Sequence, residues 1–209
     1  MNRPFFRRTG ILFVISAPSG TGKTTLCENL RETPDFIYSV SCTTRKPRPG
    51  EENDVDYHFL TMDKFREMIE AGEMLEYALV HGNYYGTLKA TVKQALEQGT
   101  DVLLDIDVQG AATIRKNDDP VVRDSLVDVF IMPPTLEELE RRLRKRGTET
   151  EEQVRGRLLA GREEMKLWRI YKYTILSGSM EEDLQKFRAI MRAERYLSRR
   201  LELHDPGAL

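Results

Sequence analysis

Two cysteines in 209 residues, Cys27 and Cys42, cannot build a disulfide framework, and their spacing matches no metal site. Both read as ordinary reduced thiols. Long apolar runs are also missing: no stretch approaches the roughly 18 residues of a membrane span. Charge of one sign is missing too. With 32 Lys and Arg against 34 Asp and Glu, the net charge of −2 excludes a general pull toward nucleic acid or an anionic membrane. Any binding of anions must then come from local clusters of arginine. There is no internal repeat and no low-complexity linker. What is present, 40% apolar and 32% charged residues, suits one domain of ordinary size with a packed core, a charged surface and room for a small insertion.

The start of the chain imitates a secretory signal, because NRPFFRR precedes ILFVISA. The apolar run is only about seven residues, and a phosphate-loop pattern begins inside it, so cleavage would destroy the strand that loop needs. The expectation is a cytoplasmic protein.

Three short runs rich in Val, Ile and Leu look like strands buried on both faces: ILFVIS (11–16), DVLLDID (101–107) and VDVFIM (127–132). Each precedes a helical pattern, at 22–32, 107–116 and 135–146, which argues for parallel β/α units. YKYTILS (171–177) is a fourth strand candidate, followed by a helix over 181–200. This alternation predicts an α/β fold, an open parallel sheet with helices on both faces. Residues 38–87 break the pattern with short alternating runs split by Pro and Gly around one helix, MDKFREMIEAG, and read as a small mixed α+β insertion. RKRGTETEEQVRGRL (144–158) is too charged to be buried. The basic tail AERYLSRRLELH reads as a solvated helix in preference to a subunit contact, and a homo-oligomer stays open.

After the first strand comes APSGTGKTT (17–25). A phosphate cradle needs successive backbone N–H groups curled around the anion at a helix start, where the helix dipole favours negative charge. Gly20 and Gly22 permit the tight path, Lys23 reaches the terminal phosphates, and the Thr24 hydroxyl can ligate Mg²⁺. Ala17 stands where the usual pattern has glycine, and a small residue suffices there if φ stays negative. In DVLLDID, Asp105 and Asp107 are both candidates to hold the metal or its waters. Asp107 also stands where an N-cap of the next helix belongs. Loop and carboxylates together predict a nucleoside triphosphate with Mg²⁺.

The insertion carries candidate readers of an acceptor. In SCTTRKPRPGE, Arg45 and Arg48 sit three apart on a segment stiffened by Pro47 and Pro49, and paired guanidinium forks suit a phosphate dianion. Tyr57 and Tyr85 could each add a phenolic donor. Guanine presents N1–H and N2–H₂ as adjacent donors, which the Glu76 carboxylate can accept together. Its O6 needs a hydroxyl donor such as Ser41 or Thr87. Adenine has an acceptor at N1 and would be repelled.

SAPSGTGKTT, SCTTRKPRPGE, DYHF, GNYYGT, LLDIDVQGA, PP at 133–134 and RGTETEEQVRGRL resemble the segments of guanylate kinases, in order and from about residue 9 to 200. The resemblance implies the P-loop nucleoside monophosphate kinase fold. Its nucleotide-binding core would span 9–37, 88–143 and 170–200, with a GMP-binding insertion at 38–87, a helical lid at 144–169 and a tail at 201–209. It implies transfer of the γ-phosphate of ATP to GMP with Mg²⁺ as cofactor, GMP and dGMP being the acceptors. ATP would be held by Ala17, Pro18, Ser19, Gly20, Thr21, Gly22, Lys23 and Thr24, and the metal by Thr24 and Asp105. GMP would meet Ser41, Arg45, Arg48, Tyr57, Glu76, Tyr85, Thr87 and Asp107. Lys23 with Arg142, Arg146 and Arg157 would act on the migrating group, whereas Arg155 reads as a solvated charge. Ser177, Gly178 and Ser179 stand where the family often shows Asn-Asp near adenine, which implies a looser choice of donor than of acceptor. Two rivals are a guanylate-kinase-like scaffold domain, which typically lacks a working phosphate loop, and a kinase for another phosphorylated acceptor, which loss of the base-reading residues would favour.

Overall fold

The chain folds around one strand. In the computed structural model, which describes residues 6–33, 35–80, 82–145 and 150–203, β1 (Phe6–Arg8) leads to β2 (Leu12–Ser16), whose five residues are all fully buried. Then follow α1 (Lys23–Arg31), β3 (Ile37–Tyr38), β4 (Ser41–Thr43), β5 (Tyr57–Phe59), α2 (Met62–Glu70), β6 (Met74–Val80) and β7 (Asn83–Leu88). The remainder is α3 (Lys89–Glu97), β8 (Val102–Asp105), α4 (Val108–Arg115), α5 (Pro120–Ser125), β9 (Leu126–Met132), α6 (Leu136–Lys145), α7 (Glu151–Met165), β10 (Tyr173–Leu176), α8 (Met180–Arg195) and β11 (Leu201–Leu203).

Five strands pair in parallel in the order β10-β9-β2-β8-β3. Side chains alternate across the central strand, as strand geometry requires. Phe13 and Ile15 pack with Leu26 and Leu30 of α1 and Phe187 and Met191 of α8. Leu12 and Val14 face the other way, onto Val92 and Leu96 of α3 and Ile114 of α4. Helices therefore cover both faces, as the sequence predicts. Fully burying each such side chain contributes about 1.5–3 kcal/mol, so this strand cannot be disturbed cheaply.

A second sheet, in the order β5-β4-β7-β6, is mixed: β4 and β5 run parallel, and the other pairs antiparallel. Gly82 takes a φ of 80° in the turn between β6 and β7, a conformation that favours glycine. Phe65 of α2 stacks on Tyr84 with ring centroids 5.2 Å apart, fixing the helix to this sheet.

One expectation needs correction. The last helix ends at Arg195, not 200, and the tail does not continue it: a short 3₁₀ turn leads to β11, which pairs antiparallel with β1. Leu201-Glu202-Leu203 alternates with the period of a strand, Arg7 pairs with Glu202, and Arg200 is buried against Glu194. The charged segment after 150 forms the helix α7, in keeping with the helical lid that the resemblance implies. Its start is set by a capping box in which Thr150 and Gln153 satisfy each other's backbone N–H groups. Strand β3 and helices α3 and α5 have no counterpart in the sequence reading.

Asp101 ties the N-terminal arm to the sheet. Its buried carboxylate accepts from the Ile11 amide at 2.9 Å and from Arg195 Nε at 2.7 Å, and it pairs with Arg8. Asp101→Ala strips all three donors of their partner, an expected loss of about 2–4 kcal/mol. Thermal denaturation should show Tm lowered by roughly 5–15 °C; an unchanged Tm would mean that water replaces the network without cost.

Candidate active site

The carboxyl ends of β2 and β8 lie side by side, so the loop after β2 faces the acidic end of β8. Gly20 and Gly22 have φ of 94° and 104°, which bends 17–24 into a curl ending at α1. Asp54 is the only described non-glycine residue with positive φ, so Ala17 enters the curl with the negative φ that a side chain tolerates. The Thr21 amide and hydroxyl both donate to the Pro18 carbonyl, at 3.2 and 2.8 Å, and lock the turn. Lys23 pairs with Asp105 and donates to the Ile106 carbonyl at 3.1 Å. Burial opposes the Lys23 charge most, but Asp105 together with Cys27 and Asp107 outweighs it and the pKa moves upward. The lysine is therefore a fixed cation beneath the loop.

Helices α6 and α7 close on the loop from outside. A Cβ on Gly20 would lie 2.7 Å from Leu143 Cδ2 of α6, and one on Gly161 would lie 3.5 Å from Pro18. Arg142 donates to the Thr21 carbonyl at 2.7 Å and to Ser177 Oγ at 3.0 Å, while Arg157 donates to Ser19 Oγ at 2.6 Å. Two of the three arginines singled out by sequence thus touch the loop. Arg146 lies outside the described residues. Ser177 in turn donates to Asp183, which also accepts from the Gly178 amide, and Ser179 caps α8. The segment 177–179 is engaged in holding Arg142 and starting a helix.

Opposite the loop, the mixed sheet presents its own side chains. Ser41 and Tyr57 are register partners, as are Glu76 and Thr87. With Lys23, Thr24, Asp105 and Asp107, the residues Ser41, Tyr57, Glu76 and Tyr85 line one cavity of about 220 Å³. Tyr57 and Tyr85 meet edge to face at 6.0 Å, and the Arg45 guanidinium lies 5.3 Å from the Tyr57 ring.

Glu76 is the unusual group here. It is 4% exposed, and its one described hydrogen bond comes from Thr87 Oγ1 at 2.7 Å. Burial, with a smaller contribution from Asp107 against the lowering by Thr87, pushes its pKa up to about 7. Thr87 is fully buried behind Glu76 and spends its hydroxyl proton on the carboxylate, so of the two proposed hydroxyl donors for O6 only Ser41 faces the cavity.

Asp107 caps α4, accepting from the Gly110 amide at 2.8 Å, and also lines the cavity. Arg45 and Arg48 stand apart from the cavity lining. Arg45 makes a bidentate pair with Glu51 at 2.8 and 2.9 Å, and Glu51 also accepts from the Arg48 amide at 2.7 Å. Sequence reasoning passed over Glu51, although it closes the quoted segment SCTTRKPRPGE. Hard oxygen donors that suit Mg²⁺, Thr24 and Asp105, flank Lys23, but among the described residues no three acidic, His or Cys side chains form a metal cluster.

The family model described as guanylate kinase matches residues 9–194. The chain is 46% identical to a guanylate kinase of Maricaulis maris over 195 residues, covering 92% of this chain and 88% of the relative. It is 48% identical to one of Syntrophotalea carbinolica over 191 residues, covering 90% and 88%. A solved guanylate kinase structure from Anaplasma phagocytophilum superposes with a TM-score of 0.75 at 32% identity, covering 95% of this chain and 93% of that one. With a phosphate curl and a buried carboxylate facing each other across one cavity, and with relatives of this extent, the chain belongs to the guanylate kinase family.

Proposed function

We propose that this chain is an ATP:GMP phosphotransferase, moving the γ-phosphate of ATP to GMP to give ADP and GDP. The observation that carries the reading is the shared cavity, with Lys23 and Thr24 at one end and Glu76 at the other. ATP binds with its phosphates in the curl of 17–24, where backbone N–H groups and Lys23 oppose their charge. Arg142 and Arg157, held to the rim of that curl, stabilise the migrating group. Thr24 and Asp105 would hold a Mg²⁺ ion carried in with the nucleotide. When bound, the ion would supply charge neutralisation for the transferring phosphate.

GMP occupies the end made by the mixed sheet. Ionised Glu76 accepts N1–H and N2–H₂, Ser41 donates to O6, and Asp107 adds a second acceptor. Tyr57 and Tyr85 steer the phosphate, with Arg45 releasing part of its hold on Glu51 to meet it and Arg48 adding a second guanidinium. Residues 38–87 serve as the acceptor-binding unit, and 144–169 as a lid whose closure keeps water from the reacting phosphate. We place the reaction in the cytoplasm, with ATP, GMP and dGMP as small-molecule partners; among the described residues no helix is long and apolar enough to cross a membrane.

A coupled assay comparing GMP, dGMP, AMP, UMP and a sugar phosphate as acceptors tests the reading. GMP and dGMP should turn over, with AMP and UMP at least about 100-fold lower in kcat/KM. Comparable turnover of AMP or the sugar phosphate would refute it. Glu76→Gln should weaken GMP binding by about 2–4 kcal/mol while leaving ATP binding unchanged, because an amide N–H₂ then faces guanine donors. Equal GMP affinity in that variant removes Glu76 from base reading.

The sign of the pH dependence follows from burial. Only the ionised carboxylate accepts two donors, and with the Glu76 pKa at about 7 protons compete with GMP below that pH. GMP affinity should fall by about tenfold per pH unit well below 7 and level off above it. Glu76→Gln should remove this component and leave only the titration of the GMP phosphate. A wild-type profile as flat as that of the variant would contradict the assignment.

A further inference from the structure

Glu76 rests against a helix of the other sheet. A Cβ built on Gly110 of α4 would lie 2.4 Å from Glu76 Oε2, 3.1 Å from its Cδ and 3.3 Å from Ile106 Cδ1. The first distance is well inside any ordinary carbon–oxygen contact, so a side chain at 110 and the carboxylate cannot keep these positions together. Glu76 has little room to yield. Thr87 holds Oε1 from one side at 2.7 Å, and the residue is 4% exposed. The opening left to it is the cavity that both Glu76 and Asp107 line.

The backbone does not account for glycine at this position. Gly110 lies within α4 and is not among the glycines with positive φ. In a helix interior alanine is favoured over glycine by about 1 kcal/mol. What the glycine provides is space. Its own N–H donates to Asp107 Oδ1 at 2.8 Å, so it stands between two carboxylates that face the cavity.

We infer that Gly110 is a specificity-positioning residue: the missing side chain leaves the room in which Glu76 keeps its carboxylate withdrawn to guanine-binding depth. This rests on the reading of Glu76 as the guanine acceptor. The packing of α4 against β6 then sets the depth of the base pocket, so an element of the parallel sheet tunes selectivity for the acceptor. An alanine at 110 would drive the carboxylate toward the base and spoil both hydrogen bonds without touching the phosphate curl.

Calorimetric binding of GMP and, separately, of ATP to Gly110→Ala, Glu76→Ala and the double variant tests the inference. Gly110→Ala should weaken GMP at least about tenfold and change ATP less than about twofold; added to Glu76→Ala, it should change GMP affinity no further, since its contact partner is gone. Unchanged GMP affinity in Gly110→Ala overturns the inference, as does an equal further loss in the Glu76→Ala background, which would assign the effect to Asp107 or to the helix. Should Gly110→Ala alone fail to fold, a folded double variant reads the same contact, and failure of both overturns it. If Glu76→Ala itself binds GMP normally, the guanine-reading role of Glu76 falls; if Glu76→Ala loses GMP and Gly110→Ala does not, only the role of Gly110 falls.

Discussion

The parallel pairing of β2 with β8 brings the end of one buried strand, where the phosphate curl begins, beside the end of another, where Asp105 stands. Lys23 and Asp105 join across that seam, and the rest of the site is arranged around this pair. The lysine keeps its charge although it is largely covered, because Asp105, with Cys27 and Asp107, offsets the desolvation. An ammonium held at the curl by Asp105 and the Ile106 carbonyl is in place before any anion arrives. That is the form of electrostatic stabilisation that serves phosphoryl transfer.

The facing sheet uses the opposite device. Glu76 is a carboxylate with a single neutral hydroxyl donor among the described contacts, in a place where ionisation is costly. Its proton is therefore held loosely near neutral pH, and a ligand that brings two N–H donors restores what burial took away. A ligand with an acceptor at the same position leaves the carboxyl either repelled or protonated. Selectivity of this kind comes from buried polar groups that only the correct partner satisfies, and it exceeds what shape alone can provide. The arginines nearby follow another logic. Arg45 is already paired bidentately with Glu51, so its fork is oriented before any phosphate is present, at the cost of a competing carboxylate.

Much of this was legible in the residues because the strongest signals are local. Glycines 20 and 22 before Lys23 announce the curl, and uninterrupted runs such as ILFVIS announce strands buried on both faces. The mixed sheet was legible as an irregularity, with its side chains named but not their contacts. What stayed hidden depends on pairing between distant segments. The strand at Leu201–Leu203 exists because Phe6–Arg8 lies beside it, and an alternation only three residues long is too short to identify it locally. That the Thr87 hydroxyl bonds Glu76 was not legible, because a hydroxyl's partner cannot be read without knowing that Glu76 sits across the ladder. The space at Gly110 was likewise invisible, since it is defined by a residue 34 positions earlier on another sheet.

The most direct measurement of the central claim is a crystal structure with GMP and a non-hydrolysable ATP analogue bound together. The account predicts the triphosphate wrapped by residues 17–24 with Lys23 beside its terminal phosphates, and the guanine N1 and N2 within hydrogen-bond distance of Glu76. Guanine lodged away from Glu76, or a triphosphate outside the curl, would contradict it.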